Sequence, residues 1–249
     1  MRFFFGLIAV LSLSIAGTPA LAAKKVVATS PAVQRTPPPP VTDKENLFYL
    51  DLSTGGRVVI RLYPNVAPKM VERIKLLTRQ HFYDGLKFHR VIEGFMAQTG
   101  DPKGDGTGGS SLPNVAAEFN WMPHVRGAVS AAREGAAGDA DAATKKKAED
   151  SANSQFFIVL NPKLALDKKY TVFGRVISGM EYVDTIARGE PPANPSTILH
   201  AYIAADNPPT YIPAPPPVAV VPPASLGTVA PPPKSAAKAA PVPSTATKR

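Results

Sequence analysis

Cysteine is absent from all 249 residues. That excludes disulfide staples, thiolate nucleophiles and every zinc site built on cysteine, so any core must stand on apolar burial alone. There is one tryptophan, and aromatic residues make up 8% of the chain. The formal net charge is nevertheless +9. A nucleic-acid surface clusters its cations and interleaves aromatic rings for stacking. Here the basic residues are scattered, apart from KKK at 145–147, and no rings lie among them. The charge reads as a solvated surface, and no nucleic-acid partner is expected.

Long apolar runs are missing too, except at the start. MRFFFGLIAVLSLSIAGTPALAA, residues 1–23, has one basic residue, an apolar stretch, and small residues at Ala20 and Ala22. This is the pattern of a secretory signal peptide cleaved after Ala22 or Ala23. Its apolar part, 3–16, falls short of the roughly 20 residues a membrane span needs. The expectation is export to a bacterial periplasm, with secretion as the alternative, and no stable membrane insertion after cleavage.

Several catalytic signatures are also lacking. No HExxH places two histidines and a glutamate for zinc, no GxSxG presents a serine, and GDGTGG at 104–109 has no following GK[ST] for a nucleotide. His81 and His89 have no neighbour at metal-ligand spacing, and His124 near Glu118 says little. No metal and no cofactor are expected. The glycines of 104–109 read instead as a tight turn beside a cleft.

What is present divides into four parts. After the leader, a proline-rich linker spans 24–43 and includes RTPPPP. A folded domain spans 44–206. A Pro/Ala-rich tail spans 207–249, with 13 prolines from Pro208 onward, and its composition favours disorder. Within the domain, LFYLDL, a Gly55–Gly56 turn and RVVIRLY predict a β-hairpin at the edge of an antiparallel sheet, with Val58, Ile60 and Leu62 facing one way. A helix is predicted from Pro68, with Val71, Ile74 and Leu77 inward, and a shorter one within 179–189, with Val183 and Ile186 inward. Strand-like runs occur at 87–91, 95–98, 127–131, 155–160 and 172–176. In a last run Ile198, His200 and Tyr202 alternate against Leu199, Ala201 and Ile203. Residues 133–150 read as a surface loop with room for one brief helix. Many short strands with two helices favour a barrel or sandwich over a βαβ sheet.

The runs YDGLKFHRVIEGFMAQTGDPKGDGTGG, NSQFFIVL and LDKKYTVFGRV, in that order, resemble the cyclophilin-type peptidyl-prolyl isomerases, most closely their exported bacterial members. The resemblance covers 46–206. It implies an all-β-dominated fold, a closed eight-stranded antiparallel barrel capped by two α-helices, acting as a monomer without a cofactor. It implies isomerisation of X–Pro bonds in polypeptides. The catalytic arginine maps to Arg90 and its companion glutamine to Gln98. Substrate-binding positions map to Phe95, Met96, Ala132, Gln155, Phe157, Leu166 and Tyr170, while Phe88 and His89 support the site from beneath. The alternative reading is a proline-binding periplasmic chaperone or scaffold with incidental isomerase activity.

The chemistry fits these residue types. Rotation about a peptide bond is slow because it breaks C–N resonance, and no covalent step is required. A guanidinium can donate to the prolyl nitrogen as it gains a lone pair, and apolar side chains can grip a ring that offers only carbon. Taken singly, Phe95, Phe157 and Leu166 are more often core residues, and Arg90 more often a surface ion-pair partner; it is their joint spacing that favours a site. Several positions depart from well-known relatives, Thr99 and Ala131 mildly. Ala165 stands where cyclosporin-sensitive members carry tryptophan, Tyr170 where many carry histidine, and Arg133 adds charge beside the groove.

Overall fold

A computed structural model describes residues 37–212. The expected signal peptide, most of the expected linker and nearly all of the expected tail lie outside the described residues. A compact unit begins at Pro39; the unit before it, Met1–Pro38, is described only at its last two residues.

Eight strands form one antiparallel sheet: β1 (Leu47–Leu52), β2 (Gly56–Leu62), β3 (Arg90–Ile92), β4 (Met96–Thr99), β5 (Ala128–Ala131), β6 (Phe156–Val159), β7 (Val172–Ser178) and β8 (Ile198–Ile203). Their spatial order is β3-β4-β6-β5-β7-β2-β1-β8. The sheet is open and strongly curled, so the expected closed barrel is wrong. The architecture is mixed α/β, not all-β with two caps.

Why the ends stay unjoined is visible at β8. The segment before β3 runs beside the start of β8, where Gly85 and Phe88 donate to the Ile198 and Ser196 carbonyls at 2.8 and 2.9 Å, and Ile198 donates to Leu86 at 2.9 Å. Further along β8 a side chain replaces the backbone partner: Ala201 N–H donates to Asp84 Oδ1 at 2.8 Å. A carboxylate satisfies the edge but does not propagate a ladder, and β3 begins only at Arg90.

The predicted hairpin forms, with Leu52 opposite Gly56 and Leu47 opposite Arg61. It is interior rather than at an edge, since β1 also pairs with β8 and β2 with β7. Val58, Ile60 and Leu62 are buried as the alternation required. The alternation fails in β8. Register shifts opposite Asp51 and Leu52, leaving Leu199 unpaired, so Ile198 joins Ala201 and Ile203 in the core while His200 is exposed. A bulge of this kind resets which face a side chain occupies.

Helix α1 (Pro68–Arg79) lays Met70, Val71, Ile74 and Leu77 on the inner face of the sheet. Helix α3 (Met180–Asp184), shorter than its sequence pattern, buries Val183, with Ile186 just beyond it. Between them the loop after β5 carries α2 (Ala142–Glu149), capped by Asp141, whose side chain accepts from the Thr144 amide. Three α-helices, the two expected and the brief one in the loop, are therefore present among the described residues.

The start of α1 is capped from a distance. Ala67 at the N-cap has no side-chain acceptor, and the second and third residues, Lys69 and Met70, donate their amides to Glu118 Oε1 and Oε2 at 3.0 and 2.9 Å. One carboxylate thus satisfies two orphan donors at the positive end of the helix dipole. Glu118→Ala should lower the unfolding free energy by about 1 kcal/mol. Urea denaturation checks it, and an unchanged midpoint would show that water replaces the cap without loss.

Candidate active site

Strands β4, β5 and β6 are packed on both faces: eleven of their twelve residues are buried. A strand covered on both faces reads as a continuous apolar run, and FFIV does, while AVSA is interrupted by the buried Ser130. Alternation then sorts the side chains into two clusters. Ala97, Val129, Ala131, Phe156 and Ile158 join the main core with Phe48, Tyr83 and Phe173. Met96, Ala128, Phe157, Val159 and Val172 form a second cluster on the outer face, partly covered by Phe95, Met122, Leu166 and Tyr170. Because that cover is incomplete, the outer face is an apolar pocket.

Pairing register builds a row across it. Arg90 of β3 stands opposite Gln98 of β4, Gln98 opposite Phe157 of β6, and Phe157 opposite Ser130 of β5. Directly paired residues share a face, so the guanidinium, the amide and the pocket floor lie side by side.

A run of hydrogen bonds crosses the row in one direction. Arg90 Nη1 makes a long contact of 3.5 Å to Gln98 Oε1, Gln98 Nε2 donates to Gln155 Oε1 at 2.8 Å, and Gln155 Nε2 donates to the carbonyls of Gly106 and Gly108 at 3.0 and 2.8 Å. The glycine loop is held in turn by Asp101, which is buried and accepts from the amides of Lys103, Asp105 and Gly106. Gly104 and Gly106 adopt positive φ, as expected of the turn, and a Cβ on Gly108 would lie 1.9 Å from Asp101 Oδ1. Beyond this loop lies a polar groove of about 540 Å³ lined by Gln98, Ala132, Arg133, Asn153 and Gln155, among others.

The structure places the expected substrate-binding residues in this region, and Phe88 outside it. Phe157, Met96 and Ala132 are buried in the pocket, with Phe95, Leu166 and Tyr170 on its sides. Tyr170 meets the Phe157 ring edge-on at 5.8 Å, and the Arg133 guanidinium lies 4.5 Å from the Tyr170 centroid. The Ala132 amide is committed to the Gln155 carbonyl at 3.0 Å. Phe88 lies wholly in the main core. His89 is buried, and burial pushes its pKa down; Asp101, Gln155 and Asp105 pull the other way and Arg90 reinforces the drop. Ala165 is exposed on the short turn Leu164–Leu166 at the pocket rim.

Three residues escaped the sequence reading. Met122 covers the pocket from a segment with no periodicity. His124, fully buried, lies nearly parallel to Phe157 at 6.2 Å; its Nδ1 is 2.8 Å from Asp167 Oδ1 and its Nε2 is 3.1 Å from Ser130 Oγ. Glu190 Oε2 accepts from Arg90 Nε at 2.6 Å. The NSQFF spacing pointed at Phe157 itself, but nothing in the sequence pairs it with His124.

The chain matches the family described as cyclophilin type peptidyl-prolyl cis-trans isomerase/CLD over residues 49–203. A Brucella suis protein named "Probable peptidyl-prolyl cis-trans isomerase" is 42% identical over 203 residues, covering 75% of this chain and 96% of that protein. Peptidyl-prolyl cis-trans isomerase B of Bacillus subtilis is 39% identical over 144 residues, covering 57% of this chain and 91% of that protein. Among solved structures, cyclophilin AquaCyp293 from Hirschia baltica superposes with a TM-score of 0.57 at 28% identity, over 66% of this chain and 76% of that one. A cyclophilin-type isomerase of Cryptosporidium parvum, crystallised in the presence of the dipeptide Ala-Pro, gives 0.55 at 25% identity, over 63% of this chain and 98% of that one. The chain belongs to the cyclophilin-type peptidyl-prolyl cis-trans isomerase family.

The tie beneath the pocket generates a pH prediction. Burial opposes ionisation of Asp167, but hydrogen bonds from the His124 amide and ring outweigh it and hold the carboxyl below its ordinary value of 3.8. A carboxyl depressed on folding contributes stability above its unfolded pKa, and this is lost as pH falls through the folded pKa. The wild type should therefore lose stability below about pH 4, and Asp167→Asn should lose less over the same window. Urea midpoints at about pH 5 and about pH 3 compare the two; equal acid losses would refute the assignment.

Proposed function

We propose that this protein accelerates rotation about X–Pro bonds in exported polypeptides, with Arg90 as the catalytic group and Gln98 as its companion. X–Pro isomerase activity is the function of the family, and polypeptides containing X–Pro bonds are its substrates. The observation that carries the residue assignment is the row Arg90–Gln98–Phe157, in which a cation, an amide and an apolar floor share one face of adjacent strands.

Apart from the Tyr170 hydroxyl, a prolyl ring entering the outer cluster meets carbon and sulfur: Phe157 and Met96 below, Phe95, Met122, Leu166 and Tyr170 around it. The ring is gripped by contact area, which is equal for both isomers. Catalysis needs something that strengthens only in the twisted state. As the amide rotates, conjugation breaks and the prolyl nitrogen gains a lone pair. An arginine N–H aimed there finds no acceptor in either planar isomer and a good one at the top of the barrier. The polar groove beside the pocket, edged by Ala132, Arg133 and Gln155, takes the flanking backbone. Nothing titrates in this step, so His89 is not required as a base.

Export is part of the same proposal. It is supported by the leader pattern of residues 1–23 and by the lack of cysteine in the whole chain. In this reading the catalytic domain spans 44–206, between the proline-rich linker and the Pro/Ala-rich tail. No helix among the described residues is long and apolar enough to cross a membrane.

Arg90→Ala should lower kcat by about 100-fold or more, with KM changed much less. Exchange NMR on an Ala–Pro peptide reads both, and a parallel loss in kcat and binding would remove the transition-state role. Export predicts a mature N-terminus at Ala23 or Lys24 by intact mass in a periplasmic fraction, and an uncleaved cytoplasmic protein would refute it. At the pocket rim, Ala165→Trp restores an aromatic wall and an indole donor. It should tighten cyclosporin binding about tenfold over a weak wild type; nanomolar wild-type affinity in a titration would defeat that reading.

A further inference from the structure

We propose that Glu190 is a positioning residue for Arg90, an inference that rests on the reading of Arg90 as the catalytic group. Arg90 lies on β3, which ends the sheet and has a strand neighbour on one side only. A long side chain there would sweep many rotamers unless something beyond the edge held it.

The chain after α3 supplies that hold. It crosses the β3 edge and makes a reciprocal backbone pair: Val91 donates to the Gly189 carbonyl at 2.8 Å, and Gly189 donates to the Val91 carbonyl at 2.9 Å. In an antiparallel pair, the residue before one partner faces the residue after the other. Arg90 therefore faces Glu190, and Arg188 faces Ile92, from where its side chain reaches the adjoining Glu93. Both contacts are present, with Nε to Oε2 at 2.6 Å for Arg90–Glu190 and 2.7 Å for Arg188–Glu93. Two ion pairs of opposite polarity flank the bridge, so a slip in register breaks both. Gly189 is specified as well: its φ is +144°, and a Cβ would come within 2.6 Å of Pro192 Cα.

Glu190 takes the Nε edge of the guanidinium, and Gln98 stands 3.5 Å from Nη1. Held from two sides, the plane is set, and the remaining Nη donors are left for the prolyl amide. Both partners are about half-exposed, at 43% and 49%. An exposed ion pair contributes little to stability. Its consequence is orientation, which acts on the barrier and not on ground-state binding.

The test is a double-mutant cycle in the full-length protein, with exchange NMR on an Ala–Pro peptide. Glu190→Ala should lower kcat about fivefold or more at unchanged KM and unchanged urea midpoint. Glu190→Gln, which keeps an acceptor, should recover part of the loss. In an Arg90→Ala background Glu190→Ala should have no further effect. The Arg90 Nε–H resonance, protected in the wild type, should broaden or exchange in Glu190→Ala. A kcat equal to or above wild type, or the same fold loss persisting without Arg90, overturns the proposal. Full activity in Arg90→Ala alone would instead overturn the underlying reading of the site.

Discussion

Everything at this site depends on three strands being buried twice. β4, β5 and β6 carry apolar side chains on both faces, and only the inner set has a complete partner in the main core and α1. The outer set is a second, small core whose cover stops short. The sheet would ordinarily have to hide such a patch, and here the exposed remainder is where a prolyl ring fits. Fold and site are therefore one arrangement: a substitution that improved the outer cover would fill the pocket, and one that made the outer face polar would dissolve it.

The site was legible in the sequence where its parts are local. FHR, FMAQ and NSQFF each sit on one strand or beside it, so the family resemblance they carry in that order named Arg90, Gln98, Gln155 and Phe157 together. The inner faces of β2 and α1 were legible for the same reason, because period two and period three to four survive in the letters. What failed was anything decided by a neighbour far along the chain. Glu190 reaches Arg90 from 100 residues away through a bridge at Gly189. His124 meets Phe157 only because β5 and β6 pair. The closed barrel failed because strand periodicity counts strands but does not say whether the first and last join. Here Asp84 takes the place a backbone carbonyl would need. The bulge opposite Leu52 likewise sits in no propensity, yet it moved Ile198 into the core and His200 out of it.

Beneath the pocket, polar groups work as a frame. His124 is tied at both ring nitrogens, to Asp167 and Ser130, and presents its flat face to Phe157. Asp101 fixes the glycine loop through three amides, and Gln155 fixes it through two carbonyls. A buried polar group left without partners is costly. Here that cost enforces geometry, since each of these side chains is satisfied in one arrangement.

The pairing of β1 with β8 has a further consequence. Phe48 stands opposite Ile203, so the first strand and the last are neighbours, and the chain enters and leaves the sheet about one strand spacing apart. A chain emerging amino end first must therefore hold β1 with one side unpaired until the final strand arrives. The sheet is completed only after some 150 residues have been delivered, and pairing between strands so far apart in the chain is slow to form. The same closeness makes the domain an insertable one: its two ends would fit a single surface loop of another protein without straining either host or guest.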